Sequence, residues 1–202
     1  MLSGLFFALA AASGASQVEG LLSFDCERSF VVDDNADTLA RRFGAEAVAA
    51  AEIYLGEGFY ETGTVLFGST PERRVEILWH DVTAKARPKV VRVQGERSEW
   101  RTPSGVTVGL DLRTLEQLNG RPFRMTGFGT DYEGTQLSWS GGRLDRRPGS
   151  ACAIRARLRP DDSVNCGVLY GQVIGAREFS SGHQAMQCLN PDVYEMWLDF
   201  RK

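Results

Sequence analysis

Apolar and polar positions are most regularly ordered between Gly105 and Trp139. Leu112, Leu115 and Leu118 recur on one helical face behind Asp111, whose carboxylate is suited to accept from the free amides of a first turn. Asn119-Gly120 offers a left-handed stop and Pro122 forbids continuation. Phe123 to Phe128 and Thr135 to Trp139 are strand-like, with Gly127, Gly129 and Gly134 between them for the reversal. The pattern predicts a short helix and then a hairpin. Upstream, Asn35, Leu39 and Gly44 have the same mutual spacing as Asp111, Leu115 and Gly120, and residues 58 to 67 resemble residues 130 to 139 with one insertion. An internal repeat displaced by 76 positions, two copies of one helix-and-hairpin unit, is therefore expected.

Between the copies, Arg74 to Trp79 alternates with Val75, Ile77 and Trp79 on one face, Lys89 to Val93 is β-branched, and Glu99-Trp100-Arg101 reads as a continuation of the sheet. Ser29 to Val32 reads as an opening strand. After Trp139, Ser140 to Gly149 reads as loop, Ala153 to Leu158 alternates apolar residues with arginine, Gly175 to Gln184 is a Ser- and Gly-rich loop, and Val193 to Phe200 is a last strand or helix. The expected fold class is α+β: two helix-plus-antiparallel-sheet repeats with a β-rich C-terminal extension. The expected divisions are a signal peptide over residues 1–16, a first repeat over 25–103, the core of a second over 104–149, and a disulfide-bearing extension over 150–202 packed on the second repeat.

The signal-peptide expectation rests on the first sixteen residues, which carry no charged side chain, have an apolar centre from Leu5 to Ala12, and run into Ser13-Gly14-Ala15. No later stretch is long and apolar enough to span a bilayer. Four cysteines, Cys26, Cys152, Cys166 and Cys188, fit an oxidising compartment, periplasmic or secreted, and none forms a Cys-x-x-Cys pair. Three disulfide pairings are open. Cys166 with Cys188 and Cys26 with Cys152 is preferred, since the first staples a loop-rich tail and the second ties down the N-terminus. A net charge of −3, without a run of like charges, gives no footprint for nucleic acid.

The two histidines, His80 and His183, have no metal-ligand spacing, and no Gly-x-Ser-x-Gly elbow or phosphate loop is present. No catalytic residue, metal or cofactor is assigned. Glu57, Glu61, Asp131 and Glu133 lie in the two equivalent hairpins; if these face one another, the four carboxylates converge and could do acid and base chemistry on a glycoside or bind calcium, although no calcium-loop spacing is present. Tyr60, Tyr132 and Trp100 are the candidate protein-binding residues, because aromatics displayed on or beside strands anchor interfaces. Trp79 and Trp139 are expected to fill the core.

The run Gly109-Leu110-Asp111, then Leu115, then Gly120-Arg121-Pro122-Phe123 resembles the helix signature of SmpA/OmlA, or BamE-like, outer-membrane assembly modules. Its use twice in one chain resembles the β-lactamase-inhibitor-protein architecture of tandem helix-and-sheet repeats. The first copy departs from it, reading Gly44-Ala45-Glu46 in place of Gly-x-Pro, and the span from Gly105 to Leu144 also resembles secreted bacterial proteins of unassigned activity. The resemblance implies an exported module that binds another envelope or extracellular protein without catalysis. The second expectation is a periplasmic hydrolase of envelope carbohydrate using the hairpin carboxylates.

Overall fold

The structure is a computed structural model that describes residues 22–95 and 97–200; the signal-peptide expectation lies outside them. In chain order the elements are β1 (Leu22–Ser23), α1 (Ala36–Phe43), β2 (Val48–Gly56), β3 (Phe59–Leu66), β4 (Val75–Asp81), β5 (Ala86–Gln94), β6 (Trp100–Arg101), α2 (Leu112–Asn119), β7 (Arg124–Thr126), β8 (Gln136–Ser138), β9 (Cys152–Arg159), β10 (Glu178–Ser180), α3 (Gln184–Leu189) and β11 (Asp192–Phe200). The protein is α+β, and its sheets are mostly antiparallel. A six-stranded antiparallel sheet runs β2-β3-β4-β5-β11-β9, a three-stranded one β10-β7-β8, and β1 pairs parallel with β6.

Both eight-residue helices begin and end where their caps dictate. Asn35 accepts from the Thr38 amide while the Thr38 hydroxyl accepts from the Asn35 amide, a reciprocal capping box. Asp111 caps α2 through the Thr114 amide and hydroxyl at 2.9 and 2.8 Å, and Gly120 closes it in the left-handed region at φ 81°. The strands behind the two helices differ. After α1 comes the long β2–β3 hairpin in the six-stranded sheet; after α2 come three-residue strands in a separate sheet. Tyr60 lies within β3, whereas Tyr132, its counterpart in the aligned sequence, lies in the turn before β8. The helices are alike and their sheet settings are not.

The tail divides between the sheets. β9 and β11 join β5 in the six-stranded sheet, and β10 pairs with β7. The last segment is thus shared between the sheets of both expected repeats, because the alternation of Ala156, Leu158, Met196 and Leu198 supplies an apolar face in register with Val91 and Val93. Ser29 to Val32 is not a strand: Asp25 draws the amides of Glu27, Arg28 and Ser29 onto one carboxylate oxygen and bends the chain into a turn.

One apolar cluster unites Leu39 of α1, Leu112 and Leu115 of α2, Ala185 and Met186 of α3, and the inward row Val75, Ile77, Val91, Val93, Met196 and Leu198. Trp79 and Trp139 are buried in it, each with its indole N–H satisfied, by the Thr64 hydroxyl and the Ile154 carbonyl. Disulfides join Cys26 to Cys152 and Cys166 to Cys188. No helix among the described residues is long and apolar enough to cross a membrane.

Candidate functional site

β2 and β3 are joined by Glu57-Gly58, both at positive φ (51° and 82°), the two-residue reversal that matches strand twist. On the turn side of Thr64, β3 no longer pairs with β4, and the end of the hairpin folds over the outward face of the sheet. Gly63 makes that possible. A Cβ there would meet Ile53 Cδ1 at 2.3 Å and the Ile77 carbonyl at 2.5 Å, so only glycine lets Ile53 cross and become buried. Two cations on β5 tie the hairpin down: Arg92 Nη2 donates to the Tyr54 carbonyl at 2.8 Å, and Lys89 Nζ lies 3.6 Å from Glu61.

Below the hairpin runs a line of alternating charge. Arg92 donates to Glu76 from Nε and Nη2 at 3.0 and 2.5 Å, and its Nη1 lies 3.8 Å from Glu195, which Arg157 approaches to 4.0 Å from the other side. Glu76 and Glu195 are buried. Burial pushes the Glu195 carboxyl up; Arg92 and Arg157 oppose the rise, and Glu76 adds to it.

The end of the same hairpin is apolar and open. Phe59 is 67% exposed, Tyr60 61% and Tyr54 51%, with Leu55 beside them. Of the candidate binding residues, Tyr60 belongs to this patch. Tyr132 is also exposed, but it sits in the turn preceding Thr135, which bridges to Arg157 on β9 at the opposite edge of the sheet. Trp100 is a correction: it is 1% exposed, its ring set 5.5–6.2 Å from those of Phe24, Phe30 and Phe43, and its indole N–H bonds the Arg73 carbonyl at 2.8 Å. Parallel pairing of β6 with β1 turns it into the core in place of a surface.

The four hairpin carboxylates are not brought together, because their hairpins lie at opposite edges of the sheet. Glu57 occupies the tight turn, Glu61 pairs with Lys89, and Glu133 accepts from the Gly129 amide at 2.8 Å in the turn that also holds Asp131. Among the described residues no group of three His, Cys, Asp or Glu side chains is placed to hold a metal ion. His80 Nε2 lies 3.3 Å from the Phe200 carbonyl, and His183 caps α3, accepting from the Ala185 amide. Elsewhere, an open hollow of about 970 Å³ is lined by Gly95, Gly109, Arg159, Asp161, Asp192 and Tyr194. Burial, then the neighbouring carboxylates of Asp111 and Asp161, push the Asp192 carboxyl up, while Arg159 stacks on Tyr194 at 5.2 Å.

Tyr54, Leu55 and Phe59 complete the patch that sequence reasoning found only at Tyr60. Their signal was present: Ile53-Tyr54-Leu55 and Phe59-Tyr60 flank Gly56-Glu57-Gly58, a turn between two apolar runs. No protein-family model, curated protein or solved structure matches the chain.

Proposed function

We propose that this is an exported, non-catalytic binding protein that engages another envelope or extracellular protein through the end of the β2–β3 hairpin. The observation that carries the reading is the joint exposure of Tyr54, Leu55, Phe59 and Tyr60 on one hairpin. Aromatic side chains held on a rigid support lose little freedom when a partner covers them, which is what interface anchors require. Ile53 beneath, Arg92 on the backbone and Lys89 on Glu61 provide the support. Two disulfides, and an N-terminal segment resembling a signal peptide, favour an oxidising compartment outside the cytoplasm. The BamE-like helix signature points to the same class of activity.

The test is capture from the native envelope fraction with the oxidised protein as bait, and then titration of the retained protein against variants. Phe59→Ser with Tyr60→Ser is expected to weaken that interaction by about tenfold or more, with the far-ultraviolet circular dichroism unchanged. Tyr132→Ala, on the opposite edge, is expected to leave it intact. Equal binding by the double variant and the parent would reject the hairpin as the contact.

A further inference from the structure

β2 is a nine-residue strand at the edge of the six-stranded sheet, paired with β3 alone. Of the devices that usually blunt such an edge it carries no proline and no lysine; Glu52 is its one charge, and the irregularity in its pairing falls at its far end, between Tyr54 and Gly56. Ala49, Ala50, Glu52 and Tyr54 are exposed.

The Phe67 amide donates to the Ala47 carbonyl at 2.8 Å, which fixes the alternation along the strand. Residues 47, 49, 51 and 53 exchange hydrogen bonds with β3, so the main-chain groups of Val48, Ala50, Glu52 and Tyr54 point away from it. Two of those groups are already used: the Val48 amide donates to the Ala45 carbonyl, and the Tyr54 carbonyl accepts from Arg92. The Val48 carbonyl, both groups of Ala50, both of Glu52 and the Tyr54 amide are left without a partner among the described residues.

We infer that this edge pairs antiparallel with β2 of a second copy, in the register that sets Val48 opposite Tyr54 and Ala50 opposite Glu52. In that register the free Tyr54 amide of one copy meets the free Val48 carbonyl of the other. The two committed groups, the Val48 amide and the Tyr54 carbonyl, face each other and need nothing further. Ala50 and Glu52 exchange both of their bonds. Sliding by one pair in one direction stacks Glu52 on Glu52, a like-charge contact; sliding the other way leaves the Tyr54 amide outside the ladder and aims the committed Val48 amide at a free carbonyl. The pattern is self-complementary, as a two-fold axis demands, and joins the two sheets into one. It concerns the backbone edge and shares Tyr54 with the aromatic surface proposed to meet another protein, whose Leu55, Phe59 and Tyr60 lie outside the ladder.

Sedimentation equilibrium of the full oxidised chain, from low micromolar to submillimolar concentration, tests it. A reversible monomer–dimer equilibrium is expected. Ala50→Glu puts a carboxylate opposite Glu52 at two symmetry-related places and is expected to weaken the dimer about tenfold; Ala50→Lys, at the same exposed position, tightens it, and Ala50→Glu with Glu52→Lys restores it. A monomer at every concentration, or a dimer unchanged by both Ala50 substitutions, would overturn the inference.

Discussion

Tyr54 and Tyr60 face one another across β2 and β3 with ring centroids 5.2 Å apart, and both residues are exposed. The pair thus stiffens the hairpin while adding little to the core. A double-mutant cycle with Tyr54→Ala and Tyr60→Ala, read by urea unfolding, should give a coupling of about 0.5–1 kcal/mol. Each single substitution should cost no more than about 1 kcal/mol. Losses of several kcal/mol would assign the rings to the core and remove them as a free surface.

Gly63 is where the support beneath that patch is most easily broken. Its Cβ would have to displace both the Ile53 side chain and the backbone carbonyl of Ile77, and the carbonyl cannot rotate away without breaking the sheet. Gly63→Ala should destabilise by about 2–3 kcal/mol, a cost of overpacking, and should raise hydrogen exchange within β2 more than within β9. Uniform exchange across the sheet would show that the hairpin is not a separate unit of support.

Trp100 offers the opposite case to Tyr60. Phe24, Phe30 and Phe43 surround it, and it bonds the Arg73 carbonyl, so truncation leaves a cavity and an unpaired carbonyl. Trp100→Ala should cost about 3–5 kcal/mol and Trp100→Phe less, measured by chemical denaturation. A cost below about 1 kcal/mol for Trp100→Ala would contradict the packing.

The helices were legible because their ends are written in single residues: Asn35 and Asp111 begin them, Gly44 and Gly120 end them. β2 was not. Val48-Ala49-Ala50-Ala51-Glu52 is rich in good helix formers, and it becomes a strand only because β3 and the anchoring of Ile53 outweigh that preference. α3 was missed because six residues capped by a histidine leave almost no periodic signal. Trp100, between Glu99 and Arg101, reads as a surface position; its burial depends on Phe24, Phe30 and Phe43, 57 to 76 positions away in sequence, which no local pattern reports. The tyrosine pair depended on strand register, so Tyr60 was found without Tyr54.

Asp25 links the N-terminal turn to pH. Burial raises its carboxyl, but hydrogen bonds from the Ser23 hydroxyl and the amides of Arg28, Glu27 and Ser29 outweigh that and hold it below the usual carboxylate range. The ionised form is therefore favoured by folding. Its contribution is fully present above the unfolded value, about 3.9, and is lost as pH falls through the lower folded value. Asp25→Asn should cost about 1–2 kcal/mol at neutral pH, since the turn keeps one acceptor but loses the charge and gains a donor facing two hydroxyls. The gap between parent and variant should then narrow as pH drops below about 4, measured by thermal or urea unfolding at a series of pH values. A gap that is the same at about pH 3 and about pH 7 would mean that the carboxylate's charge contributes nothing to the turn that seats Phe24 and Phe30 beside Trp100.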